Sequence, residues 1–313
     1  MEQPRSFIQL LGVTLRGIAM GAADVVPGVS GGTIAFITGI YEELINSLGN
    51  INWTAFKKIK TEGLSSFWKY INGNFFVALF LGIGISILSL ARIVIYLMEN
   101  HPVLLWAFFF GLVLGSAQLI LKTVKKWNVA VWLALLVGIA IAGYISSIHT
   151  VGTGGSSWYL VLSGALAICA MILPGISGAF ILVLLGSYSL VINGVKESDF
   201  KLIGLFSLGC LIGILAFSKF LKFLFKHYKN IVLALLSGFL IGSLWKMWPW
   251  QNYLGNEPII VHSDGREEWM KTNVWPSDYS LSENHIIGAI ILAVIGFALV
   301  YFMERIGSKN KAE

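Results

Sequence analysis

Long apolar stretches separated by short polar turns dominate the chain. Measured against the roughly 17–25 residues that a transmembrane helix needs, they predict six spans, at about 74–98, 103–121, 129–148, 202–225, 230–248 and 286–303. Four further apolar arms form two pairs, each interrupted at its centre by Pro-Gly, at about 8–26, 29–48, 158–173 and 176–194. Because Pro and Gly interrupt helices, each pair is either two full spans or a re-entrant hairpin.

The composition excludes a soluble globular protein. Hydrophobic residues make up 56% of the 313 residues. Charged residues make up only 12%, against about 25% in soluble domains. The net charge of +6 is therefore attributed to membrane topology rather than to nucleic-acid binding, because Lys and Arg concentrate in cytoplasmic loops. The predicted fold class is an all-α polytopic membrane protein with a single membrane domain, 1–313.

The charges of the loops predict the orientation. Basic residues cluster at 49–73 and in the turns near 122–128 and 226–229, which we place in the cytoplasm. The alternate loops carry almost no charge or, in the polar loop 249–284, an excess of acidic residues. Both termini are therefore predicted to be cytoplasmic. Around 50–70, aromatic residues alternate with lysines, which is typical of an amphipathic helix lying on the membrane surface.

The chain also repeats itself. The sequence PGVSG at 27–31 recurs as PGISG at 174–178, and Gly82 has its match in Gly209. The two copies, 1–150 and 151–313, each contain a broken pair and three spans, and the odd number predicts opposite orientations in the membrane. Inverted repeats with broken helices at corresponding places are typical of secondary transporters, whose site lies where the breaks meet. A duplicated channel or scaffold is the alternative.

Charged residues inside apolar segments are costly and mark functional sites in membrane proteins. Arg16 and Asp24 share one face of a predicted helix, about 12 Å apart along its axis. We predict that Arg16 binds an anion and that Asp24 positions Arg16 or titrates; the alternative is an ion pair that only ties the arms together. Arg92 and Lys219 occupy matching repeat positions, where they either present a cation at the two entrances or snorkel to the interface.

Each Pro-Gly break leaves backbone N–H groups without intrahelical partners, and helix N-termini of this kind bind phosphate. Hydroxyl groups add further donors. The second copy has no charged counterparts of Arg16 and Asp24, so the handling of charge is predicted to belong to the first copy. The predicted substrate-binding residues are Arg16, Pro27, Gly28, Ser30, Gly31, Gly32, Thr33, Arg92, Pro174, Gly175, Ser177, Gly178 and Lys219.

No motif for catalysis, a metal ion or a cofactor is found in the sequence. The five histidines are scattered, and HExxH, the nucleophile elbow and the Walker loop are absent. The sequence therefore predicts a transporter rather than an enzyme, with no cofactor, and any uphill transport has to use an ion gradient. The candidates for binding a coupling proton or sodium ion are Asp24 and, less favoured, Glu42 and Glu43.

The segments 16–33, 39–42 and 174–178 resemble a family of bacterial membrane proteins that was long catalogued as a domain of unknown function. Its members are now described as polyprenyl-phosphate transporters, and the resemblance covers essentially the whole chain. It implies return of undecaprenyl phosphate, the lipid carrier of cell-wall precursors, from the outer to the inner leaflet of the bacterial cytoplasmic membrane.

The resemblance and the residue pattern agree on a phosphate headgroup bound at the two breaks, with the polyprenyl tail in the lipid. The competing class is an ion-coupled secondary transporter of a small soluble anion, which needs a sealed polar cavity. A third class, an intramembrane lipid-modifying enzyme, is disfavoured because no nucleophile or metal site is found.

Overall fold

The computed structural model describes residues 6–24, 30–147, 157–255, 260–261, 267–269 and 271–309. Within these ranges the chain is an all-α polytopic membrane protein, as predicted. The helices are α1 (Phe7–Asp24), α2 (Gly31–Ile37), α3 (Tyr41–Gly49), α4 (Trp53–Glu62), α5 (Leu64–Tyr70), α6 (Gly73–Asn100), α7 (Pro102–Thr123), α8 (Val129–Ser147), α9 (Ser157–Ile172), α10 (Gly178–Leu184), α11 (Tyr188–Lys196), α12 (Phe200–Ser243) and α13 (Ile286–Lys309). The strands are β1 (Gln251–Tyr253), β2 (Ile260–Val261), β3 (Glu267–Glu268) and β4 (Lys271–Asn273). The predicted site residues Pro27 and Gly28 lie outside the described residues.

Four helices in the described part of the chain, α6, α7, α8 and α12, are long and apolar enough to cross a membrane. The helix α12 covers two predicted spans in one stretch of 44 residues. At 1.5 Å per residue that is about 66 Å, roughly twice the ~30 Å hydrocarbon core. Tyr228 lies at the predicted turn between these spans and has non-helical angles, φ −133° and ψ 38°. The kink at Tyr228 therefore divides α12 into a part of 28 residues, long enough to span the membrane, and a shorter part of 15 residues.

Each second arm of the broken pairs is two helices rather than the single stretch that we predicted. α2 ends in a Schellman motif, in which Gly39 has a φ of 74° and the Ile40 N–H donates to the Ala35 carbonyl at 3.0 Å. Gly186, with a φ of 64°, follows α10 in the same way. α2 and α10 have seven residues each, about 10 Å of helix. Neither crosses the ~30 Å core, which favours the re-entrant interpretation.

Glycine lets the helices of each copy approach closely. Gly17 and Gly82 lie where α1 crosses α6, and a Cβ on either residue would clash with the backbone of the other helix. Gly164 and Gly209 make the corresponding contacts where α9 crosses α12. Small residues at such crossings allow the backbone contact that holds membrane helices together.

Other glycine contacts join the predicted copies to each other. α7 packs on α13 through Gly111 and Gly296, while α8 packs on α12 through Gly138 and Gly238. The two copies therefore share one helical bundle with a common hydrophobic core. The recurrence of equivalent contacts supports the prediction of two copies, whose opposite orientation in the membrane stays a prediction.

The helices α4 and α5 form the segment predicted to lie on the membrane surface. Trp53 and Leu64 are exposed, as this prediction requires. Lys58 forms an ion pair with Glu62 at 2.6 Å, and Ser66 donates a hydrogen bond to the same carboxylate. These hydrogen bonds hold the pKa of the Glu62 carboxyl below its ordinary value. The position of this segment on the membrane stays a prediction.

The polar loop at 249–284 contains short strands that the sequence pattern did not predict. β1 pairs antiparallel with β4, and β2 with β3. The indole N–H groups of Trp248 and Trp250 donate to the carbonyls of Val274 and Asn284 at 2.9 and 2.8 Å. Two tryptophans next to the end of α12 therefore hold this loop.

The crossing of α1 and α6 gives a test with an internal control. We expect Gly82→Ala to lower the thermal unfolding midpoint in detergent, because overpacking of a close contact costs about 1–3 kcal/mol. Gly84 lies on the same helix with open space around its Cβ position. Gly84→Ala should leave the midpoint unchanged or raise it, since Ala favours a helix over Gly by roughly 0.5–1 kcal/mol. Equal effects of the two substitutions would contradict the close contact.

Candidate functional site

The start of α2, which follows the first Pro-Gly break, contacts the second break. The Ser30 hydroxyl donates to the Met171 carbonyl at the end of α9, at 2.9 Å. The Gly175 N–H in the second break donates to the Thr33 hydroxyl oxygen, also at 2.9 Å, and this hydrogen bond is buried. Ser30 and Thr33 are 1% and 0% exposed. Two hydrogen bonds therefore dock the described part of the first break on the end of α9 and on the second break.

Glycine makes this docking sterically feasible. A Cβ on Gly32 would lie 2.6 Å from the Ile172 carbonyl oxygen. A Cβ on Gly178, in the second break, would likewise lie 2.6 Å from the Ala167 carbonyl oxygen. Pro174, also in the second break, is buried. Gly32 and Gly178 are thus placed where backbone approaches backbone.

The N–H groups at the start of α2 already have acceptors within the protein. Gly31 donates to the Asp24 carboxylate at 2.6 Å, Gly32 to the Ser30 hydroxyl at 3.1 Å, and Thr33 to the Ser30 carbonyl at 2.8 Å. Ser30 also uses its only hydroxyl hydrogen on Met171. The described part of the first break therefore satisfies its own polar groups, and a phosphate would have to displace them.

Asp24 and Arg16 point in opposite directions along α1. The Asp24 carboxylate lies at the N-terminus of α2, where a negative charge is favourable. The Arg16 guanidinium points back along α1, with Nη1 3.7 Å from the Cβ position of Gly12. The roles of both residues stay predictions.

A cavity lies beside the second break. Its volume is about 10 Å³, which is room for about one water molecule. Gly175 lines it with a φ of 84°, and a Cβ there would come within 3.1 Å of the Ser243 hydroxyl oxygen. The lining residues come from α8, from the second break and from the end of α12: Ala142, Ile145, Ser146, Gly175, Ile176, Ser177, Ser243 and Lys246.

Lys246 lines the cavity but was not among the predicted site residues. Of the described residues lining the cavity, only Lys246 carries a charge. It lies in the turn after α12, which ends at Ser243, although we predicted a span through 248. A lysine near the end of a span is readily attributed to snorkelling, so its sequence position gave only a weak signal.

The remaining predicted residues lie elsewhere. Arg92 and Lys219 are exposed on α6 and α12 and do not line this cavity. Glu42 forms an ion pair with Lys229 at 2.6 Å, and Glu43 accepts a hydrogen bond from the Asn72 side chain at 2.7 Å. The two glutamates thus connect α3 with α12 and with the start of α6. Their role as coupling sites stays a prediction, as does that of Asp24.

The chain shows similarity to known proteins over most of its length. Residues 20–259 match the VCA0040-like family, described as undecaprenyl phosphate translocase-like. The chain belongs to this family. It is 40% identical over 303 residues to a polyprenyl-phosphate transporter of Vibrio cholerae, covering 96% of this chain and 97% of that protein. It is 31% identical over 254 residues to a polyprenyl-phosphate transporter of Staphylococcus aureus, covering 75% of this chain and 85% of that protein. No solved structure matches the chain.

These comparisons confirm the predicted resemblance to polyprenyl-phosphate transporters. The matched family region begins within α1 and includes both breaks, the docking contacts between them and the cavity beside Gly175. Among the described residues, no group of three or more His, Cys, Asp or Glu is placed to hold a metal ion.

The docking of the breaks can be tested at Thr33. Thr33→Val keeps the side-chain volume but removes the acceptor of the buried Gly175 N–H, and an unsatisfied buried donor costs about 1–3 kcal/mol. We expect a lower thermal unfolding midpoint in detergent. Thr14→Val is the control, because the Thr14 hydroxyl donates only within α1, to the Leu10 carbonyl. If the two substitutions lower the midpoint equally, the Thr33 bond does not dock the breaks.

Proposed function

We propose that this protein transports undecaprenyl phosphate from the outer to the inner leaflet of the bacterial cytoplasmic membrane and has no enzymatic activity. The observation that carries the proposal is the 40% identity over nearly the full length to a protein named polyprenyl-phosphate transporter. A polytopic all-α chain in which the start of α2 is hydrogen-bonded to the second break is compatible with this function. Both termini are cytoplasmic in this proposal.

The physical problem of this transport is the phosphate. An unpaired charge in hydrocarbon is very costly, whereas the polyprenyl tail has the same apolar surroundings in either leaflet. The protein needs to provide donors only along the path of the headgroup. Breaks in membrane helices supply such donors from backbone and side chains, because irregular backbone is tolerated where protein or a cavity surrounds it.

Contacts between α3 and α12 close the end that we place in the cytoplasm. Glu42 pairs with Lys229, and the Lys222 ammonium donates to the Asn50 side chain at 2.6 Å. In the proposed cycle, opening of the α3–α12 contacts releases the headgroup on the cytoplasmic side, in the manner of alternating access.

Arg16 is the proposed phosphate-binding arginine of the first copy. Its planar guanidinium gives two parallel hydrogen bonds to a phosphate, which the ammonium of a lysine does not reproduce. We expect Arg16→Lys to fold and insert but to transport undecaprenyl phosphate poorly between the leaflets of proteoliposomes. Lys126→Arg, an exchange of exposed basic residues in a loop, should transport normally.

The double variant Arg16→Ala with Asp24→Ala separates binding from scaffolding. If Arg16 binds substrate, this variant stays inactive although no unpaired buried charge remains. Normal recycling of undecaprenyl phosphate by the double variant, at wild-type expression, would leave Arg16 as a structural residue only.

Energy coupling is proposed to use Asp24, because this acidic group lies at the first break within a chain that lacks an ATP-binding motif. Transport is measured in proteoliposomes with the proton gradient and the sodium gradient abolished in turn. One of the two treatments should slow the wild type, and Asp24→Asn should lose that dependence. If both treatments leave the wild-type rate unchanged, the protein is a facilitator and Asp24 has another role.

A further inference from the structure

We propose that one surface of α4 and α5 binds anionic phospholipids of the leaflet that we place in the cytoplasm, and that this contact stabilises the packing of α3 on α12. The inference goes beyond the proposed function, because it concerns lipids that the protein does not carry and holds whichever lipid is transported. This α4–α5 surface comprises six exposed residues: Trp53, Phe56, Lys57, Lys60, Leu64 and Lys69.

The α4 helix presents a mixed aromatic and basic stripe to its surroundings. Four exposed residues have the spacing i, i+3, i+4 and i+7, which places them on one face of a helix: Trp53, Phe56, Lys57 and Lys60. The Trp53 side chain is 83% exposed. On the other side of the helix, Ala55 is completely buried. α4 therefore packs on the protein at Ala55 and leaves the stripe available to a partner.

The charge of the α4–α5 surface is positive. Residues 53–70 contain four lysines and one acidic residue, Glu62. Lys58 already forms the ion pair with Glu62, at 2.6 Å. The side chains of the other three lysines make no ion pair or hydrogen bond with any described residue: Lys57, Lys60 and Lys69. A segment with exposed aromatic side chains and unpaired lysines is typical of helices that bind anionic lipid.

The α4–α5 surface lies next to the start of a membrane span. Trp68 of α5 packs on Gly73, the first residue of α6, and its indole N–H donates to the Asn74 side chain at 2.8 Å. α6 is long and apolar enough to cross a membrane. The end of α5 is thus anchored where α6 starts, at the level of the lipid headgroups, where Trp is enriched in membrane proteins. This position favours a lipid surface over a soluble acidic partner.

The repeat makes this surface one-sided. Residues 50–72 separate α3 from α6 in the first copy, whereas residues 197–199 alone separate α11 from α12 in the second. The second copy therefore has no counterpart of α4 and α5. Our orientation places the α4–α5 surface in the cytoplasm, and the cytoplasmic leaflet is the one with a negative surface potential. The exposed lysines are complementary to that charge.

Two asparagine side chains connect this segment to the packing of α3 on α12. The Asn50 amide donates to the Tyr70 carbonyl at the end of α5 at 2.9 Å, and its oxygen accepts from the Lys222 ammonium of α12 at 2.6 Å. Asn72, between α5 and α6, donates to the Glu43 carboxylate of α3 at 2.7 Å. Lipid that holds α4 and α5 in place therefore also restrains the contacts between α3 and α12.

The test follows amide hydrogen exchange by mass spectrometry in the full-length protein, in nanodiscs of phosphatidylcholine with or without phosphatidylglycerol. We expect phosphatidylglycerol to slow exchange of the α4 amides by about fivefold or more, because each lysine at an anionic surface contributes roughly that factor to binding. High salt should remove the difference, since it screens exposed charges. Equal exchange of α4 in the two lipid compositions would overturn the proposal.

Charge variants assign the effect to this surface. Lys57→Gln with Lys60→Gln should lose most of the response to phosphatidylglycerol, and Lys57→Arg with Lys60→Arg should keep it, because arginine retains the charge. The matched control is Lys125→Gln with Lys126→Gln, which removes two exposed lysines from the loop between α7 and α8 and should respond as the wild type does. An equal loss in the control would overturn the assignment to α4.

Two other occupants give different outcomes. Farnesyl phosphate in phosphatidylcholine nanodiscs represents a lipid of the transported type. If it slows exchange of α4 while phosphatidylglycerol does not, the surface binds that lipid and the assignment to phospholipid is wrong. Slowing that depends on the number of protein copies in each nanodisc, and not on lipid charge, would indicate a second copy of the chain and would also overturn the proposal.

The connection to α3 is measured in the same experiment. Phosphatidylglycerol should also slow exchange of the α3 amides, and Asn50→Ala with Asn72→Gly should remove this response while α4 still responds. Glycine is chosen at position 72 because Asn72 has a φ of 60°, which glycine adopts without strain. A response of α3 that persists in this variant would contradict the connection. Exchange is measured without transport, so failure of this proposal and failure of the proposed function are separate results.

Discussion

The requirement that every backbone polar group in a membrane finds a partner determines how this chain can break its helices. Water is absent from the hydrocarbon core, so a break is stable only where protein surrounds it. Here each copy supplies hydrogen-bond partners to the other. The Ser30 hydroxyl donates to the Met171 carbonyl at the end of α9, and the Gly175 N–H donates to the Thr33 hydroxyl oxygen. Asp24 satisfies the first amide of α2 from within the first copy. The breaks are therefore joined by hydrogen bonds in both directions.

Glycines at the helix crossings let the helices that surround the two breaks pack closely. α7 packs on α13 and α8 on α12, so the last helices of each copy are held by the other copy. The same packing surrounds the short helix α2, all seven residues of which are buried. The short helix α3 is joined to α12 by the ion pair of Glu42 with Lys229.

The spans could be predicted from sequence because each is a long apolar run, and the breaks because Pro-Gly marks them. The second interruption at Gly39 and Gly186 could not, since a glycine inside an apolar stretch is also compatible with a continuous membrane helix. Only the positive φ angles distinguish the two cases. The contact of Thr33 with Gly175 depends on tertiary packing between distant segments, which no local pattern encodes.

The two copies divide their charges unequally. The first copy carries Arg16 and Asp24, and it bonds the amides at the start of α2 internally, through the Asp24 carboxylate and the Ser30 hydroxyl. The second copy lacks those charges, and its Gly175 N–H donates across to Thr33 of the first copy. A ligand that binds at the start of α2 therefore has to compete with hydrogen bonds that the protein already makes to itself.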